Sequence, residues 1–210
     1  MADLYVILSR TTTGMGKLIR TFTRSHYNHV SLTLHQDLSG IVSFARVCID
    51  TPLRGGYVTE PVERFLYTGE PVPVRIFRLE ISEEKSQQLQ QLFALAGHHD
   101  KGLLYNHFAA FTTLLHLPCP VCGAYTCLSF ASAVLGKSYR TLQELEQELE
   151  PFEVFHGDLR QRCQDSGDRT NLYFTRRGFL QGTKDTAAHS LNLLDRVLRP
   201  RSFDDPLAKI

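Results

Sequence analysis

The chain lacks any run near the roughly 18 apolar residues that a membrane-crossing helix requires. It also lacks internal repeats, low-complexity linkers and a sizeable net charge. Lysine and arginine total 23 against 22 aspartate and glutamate, a formal net charge of +1. So even a balance gives no electrostatic reason to expect nucleic acid as a partner, which normally goes with a basic stripe. Arg196, Arg199 and Arg201 read as a solvated tail face. The N-terminus Met1-Ala2-Asp3-Leu4 carries no basic leader, and the apolar run Leu4 to Leu8 is too short for a secretory core, so the cytoplasm is the expected compartment. Five cysteines, an odd number without the spacing of small secreted frameworks, are expected to be reduced thiols.

At 210 residues the chain can bury a real core, and its 42% hydrophobic and 21% charged residues are those of a globular domain. Hydrophobic periodicity supplies the elements. Tyr5 to Leu8 reads as a strand, followed by a turn and a short helix, Lys17 to Thr23. From Tyr27 to Leu34 the residues alternate, with Val30, Leu32 and Leu34 on one face and His29, Ser31 and Thr33 on the other. Further strands are expected at Ile41 to Val47, Gly56 to Thr59 and Val72 to Ile81. Such local connectivity predicts an α+β fold, an antiparallel meander sheet packed against helices.

Ser82, followed by Glu83 and Glu84, opens a helix expected to reach about Gly97. Leu103 to Leu117, an apolar run interrupted by Asn106, His107, Thr112, Thr113 and His116, predicts a second helix. A cysteine-bearing loop, Pro118 to Thr126, then precedes a helix from Cys127 to Leu135 stopped by Gly136, and Thr141 caps an acidic helix to Glu150. The pattern is mixed between Phe152 and Phe179. One domain is expected over residues 1–182, with residues 183–210 a tail that holds one helix near Leu191 to Leu198.

Two residues carry candidate chemistry. Cys127 begins a helix, where unpaired backbone N–H groups and the dipole favour a thiolate and can also hold an oxyanion. It shares a stripe with Ala131 and Val134, so its thiol is expected to face the sheet. His29 lies on the polar face of its strand, where it can be a general base or a hydrogen-bonded structural residue. Free cysteines are more often simply small buried hydrophobes, and spacing does not decide between these readings, because the fold brings nucleophile and base together.

The stretch Leu8 to Leu34, with its Asn28-His29-Val30 strand, and the later Tyr125-Thr126-Cys127-Leu128-Ser129-Phe130 resemble the permuted papain-like NlpC-type family, the YiiX-like group. Val42 to Arg46 and Gly55 to Glu60 fit the same pattern, so the resemblance covers about Leu4 to Gly136. In ordinary papain-like enzymes the cysteine precedes the histidine, whereas here His29 precedes Cys127, the permuted order. The resemblance implies a circularly permuted papain-like catalytic domain over 1–182 that cleaves an amide or ester through a thioacyl-enzyme, or transfers the acyl group. Cys127 would be the nucleophile and His29 the base. No cofactor is expected, and the partner is a small-molecule, peptide or lipid acyl substrate.

Family members also carry a polar residue that orients the histidine. The matching place holds Ser43, while simple hairpin pairing would put Phe44 or Arg46 beside His29. Glu60 is the acidic candidate, with an ordinary strand-end carboxylate as its bland reading, and His35 ranks below both. Tyr125 and Tyr27 are candidate hydroxyl donors to the oxyanion, and either can equally be core.

A competing reading takes Cys119-Pro-Val-Cys122 as a metal knuckle, with His116 and Cys127 as further soft ligands, or as a redox pair. Structural zinc sites usually draw their second ligand pair from a distant segment, so no metal is assigned. A catalytically inactive binding module of the same fold is the remaining alternative.

Overall fold

The computed structural model of the protein describes residues 1–11, 26–51, 54–96, 103–112, 119–176, 178–199, 205 and 207. The expected helix Lys17 to Thr23 lies outside the described residues.

Strand β1 (Ala2–Ser9) is the hub of the sheet. It pairs antiparallel with β2 (His29–Thr33) on one side and with β5 (Pro73–Ile81) on the other, with Ser9 opposite both His29 and Val74. Beyond β2 lie β3 (Val42–Arg46) and β4 (Gly55–Thr59), which complete the expected meander. At the far edges, β6 (Leu104–Tyr105) joins β4 and pairs parallel with β7 (Ala124–Tyr125), while β8 (Glu153–Asp158) joins β5. The order β7-β6-β4-β3-β2-β1-β5-β8 makes an eight-stranded, mostly antiparallel sheet of the α+β class.

Both faces of this sheet are covered, which is why Leu4 to Leu8 reads as a continuous apolar run. Leu4, Val6 and Leu8 join Val30, Leu32 and Phe44 beneath three helices: α2 (Glu83–Phe93), α4 (Cys127–Leu135) and α5 (Leu142–Leu149). On the other face Tyr5 and Ile7 pack with Ile41, Val74 and Leu159 and with Phe65 and Leu66 of the short α1 (Glu63–Leu66).

The helix boundaries follow cap chemistry. Ser82 accepts from the Lys85 N–H and Thr141 from the Glu144 N–H, both at 3.1 Å. Gly136 ends α4 in the left-handed conformation (φ +69°), and Lys137 N–H returns to the Ser132 carbonyl at 3.1 Å. Helix α2 stops at Phe93, short of the expected Gly97.

Leu103 to Leu117 is not one helix. Leu104 and Tyr105 are recruited as strand by Gly56 and by Ala124 and Tyr125, and α3 (His107–Thr112) starts only afterwards. Asn106, which looked like an interruption, is the start signal: its side-chain oxygen accepts from the Ala109 N–H at 2.9 Å. Residues 113–118 lie outside the described residues.

Helix α6 (Phe179–Leu198) is longer than the expected Leu191 to Leu198 and runs across the anticipated 182/183 boundary. It is tied to the body by Arg54–Asp185 at 2.7 Å, by His189 Nε2 donating to the Tyr105 carbonyl at 2.8 Å, and by buried Leu193. Further on, Asp205 accepts from the Tyr125 hydroxyl at 2.6 Å and from the Gly123 N–H at 3.0 Å, and Leu207 is buried in the helix-side core. Among the described residues no helix is long and apolar enough to cross a membrane.

Phe130 joins α4 to the sheet, fully buried with its ring 5.3 Å from Phe44 and 5.2 Å from Tyr57. Phe130→Ala is expected to lower stability by about 3–5 kcal/mol, read as a shifted urea midpoint at unchanged slope.

Candidate active site

Cys127 and His29 meet, but not as the helix stripe implied. Ala131 and Val134 of α4 pack against Val30 and Leu32, the apolar side of β2, whereas His29 and Ser31 occupy its other side. Contact is made at the strand's start. Strands β2 and β3 share one register pair, Leu32↔Val42, so toward His29 they are no longer laddered together, and the N-terminus of α4 reaches the imidazole there. The Cys127 thiol lies within interaction range of the His29 side chain and of the Val30 backbone N–H, and both favour its charged form.

The start of α4 is built by local sequence. Thr126 is the N-cap and exchanges reciprocal hydrogen bonds with Ser129: Ser129 N–H to Thr126 Oγ1 at 3.2 Å, and Thr126 N–H to Ser129 Oγ at 2.8 Å. Cys127 is thereby the first helical residue. Its N–H and that of Leu128 have no carbonyl to bond within the helix and point into the space before it.

On the far side of the imidazole, His29 Nε2 lies 2.8 Å from Glu60 Oε2, which leaves the ring's other nitrogen, Nδ1, for the thiol. The same carboxylate oxygen accepts from Ser31 Oγ at 2.8 Å and Ser43 Oγ at 2.5 Å, and Arg64 Nη2 lies 3.4 Å from Oε1. Arg64 is itself buried, donates to the Arg46 carbonyl at 2.9 Å and stacks over the Tyr173 ring at 4.2 Å. Arg46 completes this layer by donating to the Tyr173 hydroxyl at 3.0 Å. The site is a line of groups: thiol, imidazole, carboxylate, guanidinium.

Burial opposes every charge in that line, and the neighbours outweigh it. For Glu60, burial disfavours the carboxylate, but His29, Arg64 and the hydrogen bonds hold it far below the usual range. For His29, burial disfavours the imidazolium, but Glu60 and the hydrogen bond with Cys127 push it up to about 10. For Cys127, burial pushes the thiol up, and the hydrogen bond and charge of His29 with the Val30 N–H bring it below its ordinary value. Both shifts favour a thiolate–imidazolium pair, and Cys127 is half-buried.

Of the sequence candidates, Glu60 contacts the imidazole and Ser43 contacts Glu60, so the two act in series. The register of β2 and β3 directs Phe44 into the helix-side core rather than beside His29, and Arg46 forms the layer behind Glu60. His35 is exposed in the turn beyond β2. Tyr125 spends its hydroxyl on Asp205, and the Tyr27 hydroxyl meets His156 Nε2 at 3.3 Å, on the side of β8.

Ser31 and Arg64 were missed. Arg64 sits four residues after Glu60, the spacing of a helical ion pair, but Pro61 concealed it by marking the strand end. Cys119 and Cys122 are half-buried ahead of β7, and among the described residues no group of three His, Cys, Asp or Glu side chains could hold a metal ion. His116 lies outside the described residues. No family model matches the chain, and no curated protein or solved structure shows significant similarity to it.

The raised His29 contributes stability fully below its unfolded value of 6.5, and that contribution is lost as pH rises toward about 10. The depressed Glu60 contributes above 4.5 and ceases to as pH falls through its lowered value. NMR titration of the His29 ring is expected to find it still protonated at about pH 8. In Glu60→Gln the midpoint should fall by several units, because burial then acts unopposed by the carboxylate.

Proposed function

We propose that this protein is a cysteine hydrolase or acyltransferase of the permuted papain-like kind, acting on amide or ester bonds. The observation that carries the reading is the unbroken Cys127–His29–Glu60 series, in which a thiol at a helix start meets an imidazole whose far nitrogen is held by a buried carboxylate. The chain order, histidine strand before cysteine helix, supports the permuted relationship.

The Cys127 thiolate attacks the substrate carbonyl, and the negative charge that develops on oxygen is met by the N–H groups of Cys127 and Leu128. His29 gives its proton to the departing amine or alcohol, which leaves a thioester on Cys127 and a neutral imidazole. That imidazole then takes a proton from the acceptor, water for hydrolysis or an amine or alcohol for transfer. Glu60 stays ionised throughout, fixing the ring's orientation and stabilising the imidazolium; Arg64, Ser31 and Ser43 keep the carboxylate in place. No step requires a cofactor.

The reading is tested with a panel of acyl esters and thioesters, following Cys127 by intact mass. A hydroxylamine-sensitive acyl adduct is expected on the wild type and absent in Cys127→Ala. His29→Ala should slow adduct formation by about 10²–10⁴-fold. Adduct formation indifferent to His29 would sink the assignment.

A second check uses iodoacetamide. Alkylation of Cys127 should persist well below the pH at which an ordinary thiol reacts, and His29→Ala should return the profile to that of a free thiol.

A further inference from the structure

Helix α6 is apolar on two sides, and the body of the protein covers one of them. We infer that the other side is a dimer seam, on which α6 of a second copy of this chain lies antiparallel.

Successive residues of a helix turn by about 100°. Gly182, Asp185, His189, Leu193 and Arg196 therefore share one face, and it is the face fixed to the body. A Cβ on Gly182 would meet Thr51 Cγ2 at 3.3 Å, Asp185 pairs with Arg54, His189 donates to the Tyr105 carbonyl, Leu193 is buried, and Arg196 Nη1 donates to the Gly123 carbonyl at 3.0 Å. On the opposite face Leu180, Leu191, Leu194 and Leu198 are 77%, 66%, 46% and 71% exposed, and Ala187 between them is exposed as well. Scattered exposed leucines are ordinary; a line of them along one helix marks a contact surface.

The line has the spacing of a coiled-coil seam. Leu180, Lys184, Ala187, Leu191, Leu194 and Leu198 recur at alternating steps of four and three, the a/d pattern that sets knobs of one helix into holes of another. Their order selects the partner. An antiparallel copy sets Leu180 against the partner's Leu198, Ala187 against the partner's Leu191, and Lys184 against the partner's Leu194, its ammonium beside the partner's Asp195. Leucine meets leucine at both ends, and small meets large between them. Lys184 and Asp195 are the charges that border the line, opposite in sign and at opposite ends, so two antiparallel copies satisfy both at once. A parallel copy would set Lys184 against the partner's Lys184 and leave a gap where alanine meets alanine.

Asp195 also pairs with Arg199 of its own helix at 3.5 Å, an exposed contact that costs little to share. A lipid surface fits the face less well. Helices that lie in a bilayer interface are bordered by cations and carry bulky aromatics, whereas this border is one cation and one anion and its apolar line is leucine and alanine.

Analytical ultracentrifugation of the full chain is expected to find a reversible dimer below about 100 µM. Leu191→Glu leaves the packed face of α6 untouched and should weaken association by at least about 100-fold, with the circular dichroism of the wild type retained. Lys184→Glu should weaken it about tenfold, and adding Asp195→Lys should bring it back to within about threefold of the wild type, an exchange that only antiparallel copies can use. A chain that stays monomeric at about 100 µM, a dimer indifferent to Leu191→Glu, or a charge exchange that fails to rescue overturns the seam. A monomer that binds phosphatidylglycerol vesicles and loses them on Leu191→Glu overturns it in favour of lipid. None of these measurements involves the Cys127 chemistry, so they stand or fall apart from the proposed function.

Discussion

The buried carboxylate of Glu60 is the constraint on which the site depends. It has left water entirely, and a carboxylate in that position is tolerable only with its lone pairs filled and a positive charge on hand. The protein meets the demand from three elements. Ser31 and His29 come from β2, Ser43 from β3 and Arg64 from α1, so that one oxygen accepts three hydrogen bonds and the other faces a guanidinium. The four donors favour an ionised Glu60, Glu60 favours a protonated His29, and His29 draws the Cys127 thiol below its ordinary pKa. Each state is the cause of the next.

This dependence explains the form of the sheet around the site. Continuous pairing between β2 and β3 would seal the imidazole between two strands. Their single shared register pair leaves the start of β2 accessible to the helix terminus while the serines further along still reach the carboxylate. The apolar stripe of α4 does a different job: Phe130, Ala131 and Val134 pin the helix to the opposite face and so aim its first residue. Packing on one face of the sheet thus positions chemistry that belongs to the other.

Much of this was legible in the sequence, and what was not has physical reasons. The meander β1 to β4 and strand β5 followed from alternation and turn residues, and α2, α4 and α5 from their caps, because these signals are local. Cys127, His29 and Glu60 could be nominated from helix position, strand face and resemblance; that they touch depends on tertiary structure no spacing records. Leu103 to Leu117 misled because two apolar residues ahead of an asparagine look the same whether a helix continues or an edge strand begins. The choice is made by Gly56 and Ala124, distant in sequence. β8 and the length of α6 were missed because their support comes from β5, from Arg54 and from Tyr105 rather than from their own periodicity.

The alternation of charge along the site has a consequence at long range. In the ion-paired form that the shifts favour, thiolate, imidazolium, carboxylate and guanidinium cancel, and the chain around them is nearly neutral. From beyond a Debye length such a site is a string of opposed dipoles without a monopole, and it neither draws in nor repels an ion of either sign. Under the proposed function, capture of substrate would rest on diffusion and short-range fit, at a rate nearly indifferent to ionic strength. The intense fields of the site would be spent inside it, on the carbonyl of the proposed reaction.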